Sequence, residues 1–223
     1  MCGRFTLTVN PADLQDAFSN FTFPTKFAPR FNIAPTQPVL AIPNDDKNVA
    51  DFFVWGLIPM WAKDPSIGSR LINARAETLA EKPAFRGSLK HKRCLILADG
   101  FYEWKAGPTG KTKTPYFIHM NDRRPFAFAG LWDSWSGADG SQVKSCTIIT
   151  TAPNNLMSLI HNRMPVILHP RDYARWLDPA AQTPEGLTPL LKPYPDDEMN
   201  AYPVSTLVNK PGNDMPELVV PVK

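Results

Sequence analysis

Proline sets the first limit on what this chain can become. Its 223 residues include 24 prolines and only 12 glycines, spread along the length rather than gathered in one segment. Each proline fixes φ and removes a backbone donor, so it interrupts helix interiors and central strands. Such spacing allows a succession of short elements joined by rigid connections, not long helices or a disordered tail. With 43% hydrophobic residues the chain can still bury a substantial core.

Strand signals dominate. Residues 3–9 alternate apolar Phe5, Leu7 and Val9 with polar Arg4, Thr6 and Thr8, the period of a half-buried strand. Asn10-Pro11 reads as the N-cap and first position of a short helix with Leu14, Ala17 and Phe18 on one face. The proline-rich stretch 19–38 reads as irregular, with Arg30 and Asn32 in a loop that either faces a ligand or makes turns. Residues 39–42 and 49–55 flank Asn44-Asp45-Asp46 as a hairpin. The apolar run 94–98 reads as a central buried strand, followed by strands over 115–120, 126–131 and 143–150. Short helices end near Ile160 and begin at Pro170, and segments 204–209 and 218–220 read as closing strands. No repeat or linker divides the chain. The fold class is therefore α+β, a single domain over 1–223 of mainly short antiparallel β-strands in a barrel-like core, with a few short helices.

Several function classes fall away. No apolar run approaches the ~18 residues of a membrane span and no signal-peptide core opens the chain, so the expectation is a cytoplasmic, monomeric protein with no membrane partner. Cys2, Cys94 and Cys146 are odd in number, far apart and without C-x-x-C spacing, which argues against a disulfide framework and a zinc site. No metal and no cofactor are expected. The net charge is +3, but residues 1–130 hold 17 Lys/Arg against 11 Asp/Glu, while 131–223 hold 7 against 10. That asymmetry suits a polyanion on one side, or merely an uneven solvated surface. The run 86–93 likewise either tracks a nucleic-acid backbone or forms a solvated face.

The chemistry begins at Met1-Cys2-Gly3-Arg4. Once Met1 is removed, Cys2 carries an α-amine two carbons from its own thiol, a pair no internal cysteine offers. An aldehyde attacked by the amine gives an imine, and the thiol can close on the imine carbon as a five-membered thiazolidine. The two groups titrate near ~7.8 and ~8.5 when unperturbed, so modest tuning makes either nucleophilic. Downstream, Asn73 lies in a polar patch, 73–78, suited to holding an amine or carbonyl, and Arg75 offers a planar fork for phosphate. Glu103 sits between aromatics, where desolvation raises a carboxyl pKa and fits it for proton transfer; the bland alternative is an exposed strand glutamate. His161 occupies a polar loop between two elements, a setting for a general acid or base. Trp61 and Trp104 are candidate stacking platforms or core plugs.

Four segments in series carry a resemblance. Met-Cys-Gly-Arg at 1–4, Asn-Ala-Arg-Ala-Glu-Thr at 73–78, Ala-Asp-Gly-Phe-Tyr-Glu-Trp at 98–104 and Ile-His-Asn-Arg-Met-Pro at 160–165 resemble the SRAP (SOS response-associated peptidase) family over essentially the whole chain. The resemblance implies a sensor of abasic sites in single-stranded DNA that crosslinks to the ring-opened sugar through Cys2, with Asn73, Glu103 and His161 around it. It also implies Arg4 and Arg75 as phosphate ligands; Asn32 in its loop and the aromatic faces of Trp61 and Trp104 are, from the residues themselves, further candidates for DNA contact. Two other readings stand beside it. One is a cysteine-type peptidase that removes Met1 or cleaves peptides. The other is a non-covalent module for single-stranded DNA.

Overall fold

A computed structural model describes residues 2–181 and 183–222. The chain opens on β1 (Arg4–Leu7), which buries Phe5 and Leu7 as its alternation predicts but buries Thr6 as well, because the Thr6 hydroxyl donates to Asp99. Helix α1 (Pro11–Ala17) follows, and the Asn10 side chain accepts from the Ala12 and Asp13 amides. Residues 30–33 form β2 (Arg30–Ile33) and not a loop, because pairing with β1 satisfies their backbone despite the prolines on either side. The hairpin β3 (Pro38–Pro43) and β4 (Asp51–Trp55) forms where the sequence places it. Short β5 (Asn73–Arg75) and helix α2 (Arg86–His91) lead to fully buried β6 (Arg93–Ala98). Next come β7 (Gly100–Ala106), β8 (Lys113–Met120), β9 (Phe126–Ser136) and β10 (Gln142–Thr151). Helix α3 (Asn155–Ser158), β11 (Met164–Pro165), β12 (Ile167–Leu168), α4 (Tyr173–Leu177) and β13 (Met199–Pro203) complete the frame.

Five strands close on themselves in the order β4-β3-β6-β9-β10, because β10 pairs with both β9 and β4. Closure removes sheet edges, and all pairings in the ring are antiparallel except β4 with β10. The remaining large sheet, β13-β8-β7-β1-β2, is antiparallel throughout. One core joins the two: the Phe5 ring meets Trp55 and Phe128 edge-on, with centroids 5.1 and 5.7 Å apart. Cys94 and Cys146 are buried in it, as their apolar settings suggest.

Two expectations change. Residues 206–209 and 216–219 are single 3₁₀ turns rather than strands. The tail folds over the outer sheet, where Val204, Val208 and Leu218 pack with Tyr102 and Phe117. Within the basic run, Arg93 is fully buried, and its guanidinium donates to the carbonyls of Leu89, Lys90, Trp176 and Asp178, where α2 and α4 end. It joins two helix ends and is unavailable to a polyanion.

The aromatic loop after β4 depends on Gly56, whose φ of +133° few other residues adopt and whose ideal Cβ would stand 2.5 Å from the Gly68 carbonyl oxygen. Gly56→Ala is therefore expected to destabilise the fold by about 2 kcal/mol or more. Urea unfolding checks this: the midpoint should fall at unchanged m, and an unchanged midpoint would show that the two backbones can move apart.

Candidate active site

The end of β10 organises the site. On one side it pairs in parallel with β5, setting Ile148 against Asn73 and Thr150 against Arg75. On the other it pairs with β11, setting Thr151 against Met164. The Asn73 strand and the His161 loop are thus two branches from one strand end. Helix α3 aims the second branch: Asn154 caps it through the Met157 amide, and the His161 amide donates back to the Met157 carbonyl.

From the outer sheet come the other two groups. Pairing of Arg4 with Tyr102 brings the head of β1 beside Glu103 on β7. Cys2 is fully buried there, and the Asn73 Nδ2 donates to its carbonyl at 2.8 Å. The Asn73 Oδ1 is buried and has no hydrogen-bond partner among the described residues. Burial pushes the Cys2 thiol far above its ordinary value, and the nearby Glu103 carboxylate pushes it further. The side chain of Glu103 is only 2% exposed, with its Oε2 4.0 Å from His161 Nε2. The four groups singled out in the sequence therefore converge. Met1 lies outside the described residues.

The His161 ring is oriented by the backbone of Arg163. The Arg163 amide and carbonyl lie 3.1 and 3.3 Å from Nδ1 and hold the ring with Nε2 facing Glu103. Arg163 also clamps the two branches together. Its fork donates to Glu77 Oε1 at 2.6 Å and Oε2 at 2.9 Å, and to the Thr150 carbonyl at 2.6 Å. Glu77 and Arg163 stand inside two of the quoted segments, yet only their spatial proximity reveals the clamp.

The residues expected to touch DNA are more scattered. Arg75 is exposed on β5. Arg4 is half-buried, and its guanidinium donates to Asn32 Oδ1 at 3.0 Å and to the Val208 carbonyl at 2.8 Å. Asn32 is fully buried and ties Arg4 to the tail through the Val208, Lys210 and Asn213 carbonyls; it faces the protein, not an external ligand. Trp104 is half-buried, its indole donating to Asn209 Oδ1 at 2.8 Å. Trp61, 58% exposed, flanks a separate groove of about 350 Å³ lined also by Met60, Pro83, Arg86 and Lys92. Among the described residues no group of three or more His, Cys, Asp or Glu side chains could hold a metal, and no helix is long and apolar enough to cross a membrane.

Fold and site together define a class: a small β-barrel protein that presents a buried cysteine at the head of its first strand to an amide, a carboxylate and an imidazole drawn from three other places. The chain belongs to the SOS response associated peptidase (SRAP) family, whose model matches residues 1–211. It is 50% identical over 222 residues to the abasic site processing protein YoqW of Bacillus subtilis, covering 98% of this chain and 99% of that one. It is 31% identical over 267 residues to the abasic site processing protein HMCES of Xenopus tropicalis, covering all of this chain and 78% of that one. A crystal structure of a protein from Bacteroides thetaiotaomicron superposes with a TM-score of 0.88 at 26% identity, each chain covered in full.

The clamp has a pH signature. Hydrogen bonding from Arg163 holds the Glu77 carboxyl below its ordinary value. A depressed folded-state pKa gives stability that is present above the unfolded value of ~4.3 and is lost as pH falls through the folded one. Melting temperatures of the native protein and Glu77→Gln should therefore differ at pH 6 and converge toward pH 3. A constant gap would show that the ionised pair contributes nothing.

Proposed function

We propose that this chain processes abasic sites in single-stranded DNA by covalent capture: Cys2, freed at its amine by loss of Met1, becomes a thiazolidine with the ring-opened sugar. The observation that carries the reading is the convergence of Asn73, Glu103 and His161 on Cys2.

An abasic sugar exists partly as an open-chain aldehyde. In ring opening the C1′–O4′ bond breaks, the C1′ hydroxyl gives up its proton to become the aldehyde oxygen, and O4′ gains a proton, the role suited to His161 Nε2. The amine then adds to the aldehyde carbon, and water leaves to give the imine. Asn73, holding the Cys2 carbonyl with Nδ2, has its Oδ1 open to the amine N–H. Last, the thiol sulfur bonds to the imine carbon, its proton passes by way of Glu103, and the nitrogen ends as a secondary amine. Because burial keeps the thiol protonated, the amine acts first and the thiol second. With both nucleophiles on one residue, closure is intramolecular, an advantage of up to about 7–11 kcal/mol in favourable geometry. Arg4 and Arg75 face flanking phosphates, Trp61 and Trp104 offer aromatic surface to neighbouring bases, and Asn32 positions Arg4. Salt should weaken the association.

The same buried thiol weighs against a cysteine peptidase, which needs an accessible thiolate. A non-covalent binding module leaves the alignment of four reactive groups without a purpose.

Denaturing gels separate these readings. Native protein mixed with an oligonucleotide containing one abasic site should give a slow band that survives boiling without any reductant. Cys2→Ser keeps the amine, so its band should appear only when borohydride is present. Asn73→Ala should slow capture about 10- to 100-fold at saturating DNA. Native protein that leaves no covalent band under either condition would overturn the proposal.

A further inference from the structure

The hairpin joining β7 to β8 is absorbed by neither the fold nor the capture chemistry. β7 pairs with β1 only as far as Tyr102 opposite Arg4, so from Glu103 onward it runs past the head of β1. Paired with β8 down to Ala106 against Lys113, it overhangs the place where Cys2 sits. From Glu103 to the turn at Gly110 the overhang is on the order of 20 Å, several nucleotides of a bound strand.

Its charge is one-sided. Lys105, Lys111 and Lys113 are all exposed, and no acidic residue occurs between Glu103 and Asp122. None of the three lysines forms an ion pair among the described residues, whereas Lys92 and Lys144 each engage an aspartate. Strand alternation puts Lys105 on the same face as Glu103, one pleat further out, where its ammonium lies 6.0 Å from the centre of the Tyr116 ring. Tyr116 is itself the cross-strand partner of Glu103. Lys113, opposite Ala106, stands on the other face and Lys111 lies in the turn, so the three ammonium groups surround the outer part of the ribbon and repel one another unless a polyanion lies along it.

We propose that this hairpin is a second, sequence-independent binding surface that takes the phosphate backbone of the DNA segment leaving the lesion on one side. It rests on the abasic-site reading above and adds to it a direction: the nucleotides on one flank of the lesion contribute to affinity through Lys105, Lys111 and Lys113, and those on the other flank do not.

The test uses an oligonucleotide with a tetrahydrofuran abasic analogue, which has no aldehyde, so that equilibrium binding is read without capture. Anisotropy titrations at several salt concentrations compare native protein with the triple variant Lys105→Gln, Lys111→Gln, Lys113→Gln. Three lost phosphate contacts should make the slope of log affinity against log salt shallower by about 2. Deleting the nucleotides on one flank should lower the native slope by a similar amount and leave the variant's unchanged. Charge removal elsewhere, by Lys26→Gln, Lys47→Gln and Lys192→Gln, should keep the native slope. A hairpin variant with the native slope, or a control variant with the same loss, overturns the proposal. If native protein crosslinks a true abasic site while the hairpin variant keeps its slope, only the hairpin assignment fails. If native protein neither binds nor crosslinks, the abasic-site reading fails and this one with it.

Discussion

The carboxylate of Asp99 is the constraint on which the site depends. Chain ends fray by default, so a side chain at residue 2 keeps a fixed place only if its strand stays put. Asp99 sits at the turn between β6 of the barrel and β7 of the outer sheet. It accepts from the Thr6 and Thr8 hydroxyls and from the Thr8 and Val9 amides, while its own amide donates to the Thr6 carbonyl. Five hydrogen bonds thus tie the exit of β1 to the junction of the two sheets, and Phe5 is driven into their shared core. The head of the strand can then hold Cys2 against Glu103 with little conformational freedom left to lose.

A second constraint works at the opposite side. The parallel branch, β5, and the antiparallel branch, β11, diverge from the end of β10, and backbone pairing alone leaves their far ends free to separate. The Arg163 fork spans the gap to Glu77 and to the Thr150 carbonyl, and the backbone of the same residue orients the His161 ring. One arginine thereby sets both the spacing of the two branches and the orientation of the imidazole. Burial also pushes the Cys2 thiol above its ordinary value.

Much of this was legible in the sequence where local chemistry decides. The alternation of residues 4–7, the Asn10-Pro11 helix start and the apolar run of β6 each declare themselves within a few residues, and the four candidate side chains, Cys2, Asn73, Glu103 and His161, sit in short distinctive segments. What escaped was decided at long range. Asn32 and Arg30 looked like loop residues because their neighbours are prolines, but β1 supplies a pairing partner. Arg93 looked like part of a solvated basic run, but helix-end carbonyls far along the chain enclose it. The tail at 204–209 has strand-like composition, yet it is held by Arg4 and Asn32 side chains rather than by a ladder, so it turns. β13, with Asn200 and Pro203 in it, gives too weak an alternation to be read without β8 beside it.

The central claim is that a terminal aminothiol at Cys2, aligned by Asn73, Glu103 and His161, is the group that captures the lesion. Intact-mass spectrometry of the native protein after incubation with an abasic oligonucleotide tests it most directly. The account expects one species, the protein without Met1 plus the oligonucleotide less one water, whose mass borohydride leaves unchanged because a thiazolidine has no imine bond to reduce. An adduct that retains Met1, or one that gains two hydrogens on reduction, would contradict it.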